Sequence, residues 1–183
     1  MKSRIKSILI FILLILPAIL FSEVYLWEKV DKITLELPND WERDNELDTF
    51  LNEILKFRHK AYRNFTITLT YQKLINRDSS RNYAHFDARL LKQKDYVILE
   101  RSSREINNIP AYEYIYRHYA PLYGSFERDF FTLRKIYIVI GRKYYSFAFT
   151  CPSVYYGEYQ KYLNRILENF LIELKTDENA NLR

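Results

Sequence analysis

Apolar and polar residues alternate with a period of two in several stretches of the chain and with a period near 3.6 in others. Lys32-Ile33-Thr34-Leu35-Glu36-Leu37 alternates as a half-buried strand does, and Pro38 ends it. Pro38-Asn39-Asp40-Trp41 then reads as a turn that lays an indole on the domain. Segment 46–60 fits two patterns: Leu47, Phe50, Leu51, Ile54 and Leu55 share one helical face, whereas Ile54 to His59 fits the start of a strand. Phe65 to Tyr71 is Thr- and Ile-rich and alternates, a clearer strand. Ser79 or Ser80 is placed to cap a helix whose apolar face would be Tyr83, Phe86, Leu90 and Leu91. Two strands follow, Tyr96–Glu105 and Ala111–Tyr119, with Asn107-Asn108-Ile109-Pro110 as the hairpin signal between them. A second pair, Phe130–Ile140 and Tyr144–Thr150, turns at Gly141-Arg142-Lys143, and Cys151-Pro152-Ser153 breaks it. A last helix carries Tyr159, Tyr162, Leu163, Ile166, Leu167 and Phe170 at three- and four-residue spacing, and residues 175–183 form a polar tail. Strands outnumber helices and connect mostly by hairpins, so the pattern predicts one α+β domain with an antiparallel sheet and packed helices. A free sheet edge could pair with a second chain, and nothing in the sequence singles one out.

The beginning of the chain has a different pattern. Lys2, Arg4 and Lys6 precede an apolar run from Ile8 to Phe21, broken only by Pro17, and Glu23 ends it. A basic start followed by a short apolar run is the pattern of a secretory signal peptide, expected here over residues 1–22 with the domain over 23–174. A spanning helix needs about 20 apolar residues, more than this run supplies. Leu20 is a poor fit to the small residue usual before a cleavage site, so the alternative is an uncleaved anchor over residues 8–21. Either way the expectation is an exported protein: periplasmic, cell-envelope or secreted.

This leader changes the charge argument. The whole chain is formally +5, but residues 23–183 hold 25 Lys and Arg against 23 Asp and Glu. Attraction to nucleic acid would need a concentrated patch, and an exported protein seldom meets that partner. Segment 56–63, with Lys56, Arg58, Lys60 and Arg63 interleaved with Phe57 and Tyr62, is basic and aromatic. It is either a solvated element with snorkelling stems or a surface for an anionic membrane or an acidic protein.

The 183 residues contain 3 Gly, 3 His and 1 Cys, which removes several chemistries. The widely spaced glycines cannot form a phosphate-binding loop, and one cysteine excludes a disulfide framework or a Cys-rich zinc site. His59, His85 and His118 match no local metal-binding helix pattern. Cys151 has no Cys partner and no nearby His in sequence, as expected of a buried inert thiol. The carboxylates Asp44, Glu46 and Asp48, and the pair Glu127 and Asp129, read as exposed loop or helix-start acids. Asn64-Phe65-Thr66 forms a glycosylation sequon that coincides with a strand start. No catalytic, metal or cofactor-binding residues are assigned.

The tyrosines remain, and twelve of the 17 lie between Tyr112 and Tyr162. Tyr112, Tyr114, Tyr116 and His118 share one strand face by alternation. Such a row suits either a sheet–helix interface or an exposed recognition surface.

In its order of elements the chain resembles the PsbP-like superfamily. The likeness is carried by Leu37-Pro38-x-x-Trp41 after the first strand and by the hairpin Asn107-Asn108-Ile109-Pro110-Ala111-Tyr112. Tyr137-x-Val139, Tyr144-x-x-Phe147-x-Phe149, Pro152 and a closing helix that ends at Phe170 continue it, over residues 32–172. Asn108 stands where the family usually has glycine, and asparagine tolerates the left-handed conformation such a turn needs. Segment 46–60 fits the family less well. The resemblance implies an antiparallel sheet between helices, an α/β/α sandwich, and a non-catalytic binding or assembly domain without a common site. Taken together, these readings lead to the expectation of an exported interaction module for a protein or envelope component. A small-molecule or lipid carrier and a secreted hydrolase are the alternatives.

Overall fold

The computed structural model describes residues 22–27, 31–47, 52–75 and 78–173. The expected leader, apart from Ser22, and the expected polar tail lie outside them, as do Asp48, Phe50 and Leu51. Strands β1 (Ser22–Trp27), β2 (Lys32–Pro38) and β3 (Trp41–Arg43) come first, followed by β4 (Glu53–His59) and β5 (Thr66–Lys73). Helix α1 (Ser80–Lys92) leads into four long strands: β6 (Val97–Ile106), β7 (Ile109–Pro121), β8 (Arg128–Ile140) and β9 (Lys143–Pro152). A 3-10 turn at Ser153–Tyr155, helix α2 (Tyr156–Glu168) and β10 (Leu171–Glu173) complete the described chain.

The strands form a seven-stranded sheet in the order β3-β4-β5-β9-β8-β7-β6 and a three-stranded sheet in the order β1-β2-β10. Their pairings are antiparallel. The result is the expected α+β sandwich, with a helix on each face of the main sheet. The small sheet is an addition. Its outer strands β1 and β10 are short, and pairing with β2 gives them a place that their own patterns do not announce. Within segment 46–60, residues 53–59 are strand: β4 pairs with β5, and Leu55 and Phe57 are fully buried.

Alternation along the strands divides the core in two. Ile67 and Leu69 of β5 and Tyr145, Phe147 and Phe149 of β9 point to one face, where they meet Ile33, Leu35 and Leu37 of β2 and Leu163, Ile166 and Leu167 of α2. Tyr112, Tyr114 and Tyr116 of β7 and Leu133 and Tyr137 of β8 point to the other face, beneath α1. Polar contacts fix how the layers sit. The fully buried Asp31 receives the Lys143 ammonium at 2.7 Å and the Tyr145 hydroxyl, joining the small sheet to β9. Under α2, Arg134 is bonded to the buried Glu113 carboxylate and reaches Asn164 Oδ1 at 2.8 Å, while Arg104 binds the same carboxylate at 3.2 Å.

Helix α1 begins at Ser79, whose hydroxyl accepts the Asn82 amide N–H at 3.2 Å. Only half of the apolar face expected on this helix packs: Tyr83 stacks on Tyr144 at 4.8 Å between ring centroids and Leu91 adjoins the core, but Phe86 and Leu90 do not. Ala84 and Ala88 are its buried residues, whereas Phe86 is 61% and Leu90 43% exposed. The reason lies in the sheet beneath. Four tyrosines already fill that face, and only a methyl group leaves room for the helix to approach. Closely packed cores tolerate added bulk poorly, so Ala88→Phe is expected to destabilise the fold by about 1–3 kcal/mol. Phe86→Ser should stay within about 0.5 kcal/mol of the parent. Urea midpoints of the two variants check this, and the reverse order of stabilities would show the helix packing through its apolar face.

Candidate functional site: an aromatic and arginine-rich hairpin end

Strands β7 and β8 outrun their neighbours. Pairing of β6 with β7 reaches only Arg117, and pairing of β9 with β8 reaches only Phe131. Residues 118–121 and 128–130 therefore continue as a two-stranded ribbon, with Tyr119 opposite Phe130 and Pro121 opposite Arg128. The ribbon closes through the Leu122 amide bonded to the Glu127 carbonyl at 2.8 Å, with Gly124 at a positive φ of 69°.

This end is coated with aromatic rings held by guanidinium groups. Tyr119 and Phe130 pack at 5.2 Å between ring centroids, and both are about half exposed. The Arg128 guanidinium lies 4.8 Å from the Tyr119 ring and that of Arg117 lies 5.4 Å from Phe130. At the tip Phe126 is fully exposed, and Tyr123 is half exposed beneath Arg58 at 5.2 Å and Arg63 at 5.8 Å. The Asn64 side-chain oxygen accepts the Tyr123 amide, so the tip is anchored to the β4–β5 loop. That bond also puts the expected sequon asparagine to structural use.

Of the residues expected to form a partner surface, Arg58 and Arg63 come together here. Tyr112, Tyr114 and Tyr116 do not: they are buried under α1, with Tyr116 fully enclosed. The exposed-row reading fails because the bulky rings fill the space between sheet and helix. The Tyr137 hydroxyl donates to Asp87 of α1 and lies 3.2 Å from the Tyr116 hydroxyl, while Lys135 reaches Asp87 at 2.9 Å. His118 is half-buried between Tyr96 at 4.2 Å and Phe131 at 5.7 Å, and burial holds its imidazole below the ordinary range. Lys56 is drawn to Asp44 and Glu53, each at 3.8 Å, and Arg58 Nε lies 2.6 Å from Asp44 Oδ2. Much of the basic segment is thus neutralised along a cleft of about 300 Å³ whose walls include Glu42, Arg43, Glu46 and Tyr123. Lys60 is exposed and donates to the Asn39 carbonyl.

The remaining chemistry-bearing groups have structural partners. His59 is buried among Trp41, Tyr62, Phe65 and Tyr159. Its Nδ1 accepts the Ala61 and Tyr62 amides at 3.2 Å, which leaves Nε2–H to donate to Asp40 at 3.1 Å. His85 accepts from Arg81 through Nε2, so its Nδ1–H faces the Tyr114 hydroxyl at 2.7 Å. Among the described residues no group of three His, Cys, Asp or Glu side chains is arranged to hold a metal ion. Cys151 is buried, and burial pushes its thiol up to about 12.

The aromatic end was not among the expected site residues. Arg117 and Tyr119 lie on the opposite parity of β7 from the tyrosine row, a difference that alternation alone contains. Which parity faces solvent depends on what covers the sheet, and no local pattern states that.

No protein-family model matches this chain, and no curated protein matches it in sequence. Solved structures do match. The cyanobacterial PsbP protein CyanoP from Synechocystis sp. PCC 6803 aligns with 82% of this chain and 92% of its own at a TM-score of 0.64 and 10% identity. LpqN of Mycobacterium tuberculosis, described as involved in cell envelope biogenesis, aligns with 84% of this chain and 91% of its own, TM-score 0.63, 14% identity. A Bacteroides thetaiotaomicron VPI-5482 protein aligns with 79% of this chain but 46% of its own, TM-score 0.51, 14% identity. The fold is therefore PsbP-like, as the order of elements implies.

The buried phenols make stability depend on alkaline pH. Burial raises the pKa of Tyr116, Tyr137, Tyr144 and Tyr145 well above the ordinary tyrosine value. An acid whose folded pKa is raised contributes full stability below its unfolded pKa, about 10 for tyrosine, and loses it as pH rises beyond that. The urea midpoint should therefore fall steadily above about pH 10, with tyrosinate absorbance from this group appearing together with unfolding. A midpoint unchanged to about pH 11 would contradict the buried row. In the same way, the Cys151 thiol should resist alkylation near pH 8 in the folded protein and react on denaturation.

Proposed function

We propose that the protein is an exported, non-catalytic interaction module that docks a protein component of the cell envelope through the aromatic and arginine-rich end of its β7–β8 hairpin. The observation that carries this reading is the exposure of Tyr119, Tyr123, Phe126 and Phe130 on one projecting ribbon, with arginines stacked on three of the four rings. Tyrosine and arginine are the residue types that dominate binding energy in protein interfaces. Rings already held by guanidinium groups lose little side-chain entropy on binding. The basic start and apolar run of residues 2–21 support export. The envelope role of LpqN, a protein of the same fold, is consistent with this compartment.

The carrier reading has less to rest on. Between the sheet and α1, where a ligand would lie, Tyr112, Tyr114, Tyr116 and Tyr137 pack against Ala84 and Ala88. The hydrolase reading would need convergent polar groups in a cleft, and the three histidines each have separate partners.

A photoreactive phenylalanine analogue at position 126 of the full chain, activated in cells, tests the proposal. A single protein adduct should form, and Arg128→Ala or Tyr119→Ala should reduce its yield roughly fivefold or more, the effect expected of central interface residues. The same analogue at the exposed helix-end position Gln93 should yield no such adduct. Equal adducts from both positions, or none from position 126, would contradict the assignment.

A further inference from the structure

The outermost strand of the main sheet, β6, pairs with β7 on one side and has no strand on its other side among the described residues. Its central sequence is Glu100-Arg101-Ser102-Ser103-Arg104-Glu105, a charge palindrome. We propose that this edge pairs with β6 of a second copy of the chain, antiparallel and centred on Ser103, to join the two main sheets into one.

Three features of the edge support a second copy as its occupant. The first is backbone polarity. Asn107 and Asn108 form a two-residue hairpin loop with positive φ at both positions, 49° and 64°. In such a loop the flanking pair, Ile106 and Ile109, exchanges hydrogen bonds. Alternation then directs the N–H and C=O groups of Ile106, Arg104 and Ser102 toward β7, and those of Glu105, Ser103 and Arg101 toward the open edge.

The second is symmetry and charge. A two-fold axis normal to the sheet keeps each side chain on its own face, so a residue must oppose itself at the centre. Registers that would set Arg101 against Arg104, or Glu100 against Glu105, are excluded on that ground. Centring on Ser103 sets Arg101 against the second copy's Glu105 and Glu105 against its Arg101, two attractive cross-strand pairs. Arg101 and Glu105 are both exposed. The neighbouring register, centred on Ser102, would instead draw on Arg104, which already binds Glu113 at 3.2 Å. The Ser103-centred register leaves that bond undisturbed.

The third is the limit of the regular edge. A bulge lies between Ile98 and Glu100, where the pairing with β7 slips by one residue. Bulges interrupt pairing, so the usable edge is confined to the palindrome and the register cannot slide toward the exposed Val97, Ile98 and Leu99.

The test uses the full chain, purified in mild detergent. Directly opposed residues in a hydrogen-bonded antiparallel pair have Cα atoms about 5.5 Å apart, within disulfide range. Ser103→Cys should therefore form a disulfide-linked dimer under gentle oxidation. Ser102→Cys, displaced by two positions from its symmetry mate, should remain monomeric. The buried Cys151 does not compete. Adding Arg101→Glu to Ser103→Cys should reduce self-association roughly tenfold or more, as two attractive pairs become repulsive, and Glu105→Arg on top of it should restore dimerisation. Circular dichroism melts establish that each variant is folded. A folded Ser103→Cys chain that stays monomeric overturns the proposal. So does equal crosslinking from position 102, or dimerisation indifferent to Arg101→Glu.

Discussion

The register between β7 and β8 decides which aromatic side chains become core and which become surface. Tyr112 stands opposite Tyr137 and Tyr116 opposite Leu133, so one set of rings faces α1, while Ile115 lies across from Arg134 on the α2 side. A slip of one residue would send every side chain of β7 to the other face. It would expose the tyrosine row and bury Arg117 and Tyr119. The connection between β7 and β8 is closed by the Leu122 amide on the Glu127 carbonyl at 2.8 Å. Short turns at Asn107-Asn108 and at Gly141, with a positive φ of 61°, set the registers of the flanking pairs β6–β7 and β8–β9. Further along β7 and β8, the buried Glu113–Arg134 pair ties the two strands together across this register.

What lies on each face follows from that register. On the α1 side the phenols leave room only for small helix residues, and their hydroxyls require polar partners. Asp87 supplies one and His85 another. On the α2 side the aliphatic and phenylalanine side chains accept both a helix and a small sheet, fastened by Asp31 and by the bond from the Asn107 side chain to the Phe170 carbonyl. A sheet braced on both faces can extend a hairpin past its neighbours and hold the rings at its end in place. The same arrangement leaves β6, with its charged segment 100–105, at the edge of the main sheet.

Much of the fold was legible because the informative signals are local. Alternation located the long strands, Asn107-Asn108 and Gly141 located the turns, and Ser79 located the start of α1. The strand reading of segment 54–59 and the helix reading of Leu47, Phe50, Leu51, Ile54 and Leu55 overlap at Ile54 and Leu55, which fit either period. Strands β1 and β10 escaped notice because each depends on β2 rather than on its own pattern. Phe86 and Leu90 misled for a related reason: apolar spacing identifies a helix face, but the volume beneath it decides which face packs. The site was half legible for the same reason. Arg58 and Arg63 stood out as basic, whereas Tyr119, Tyr123, Phe126 and Phe130 became a surface only once β7 and β8 were seen to outrun the sheet.

Hydroxyl-radical footprinting of the full chain tests this division of aromatic residues most directly, since oxidation of each ring tracks its exposure. Phe126, Tyr119, Tyr123 and Phe130 should be oxidised fast, and Tyr112, Tyr114 and Tyr116 should be protected until the protein unfolds. Oxidation of Tyr114 and Tyr116 as rapid as that of Phe126 would mean that the tyrosine row is the surface, and the account of both core and binding end would be wrong.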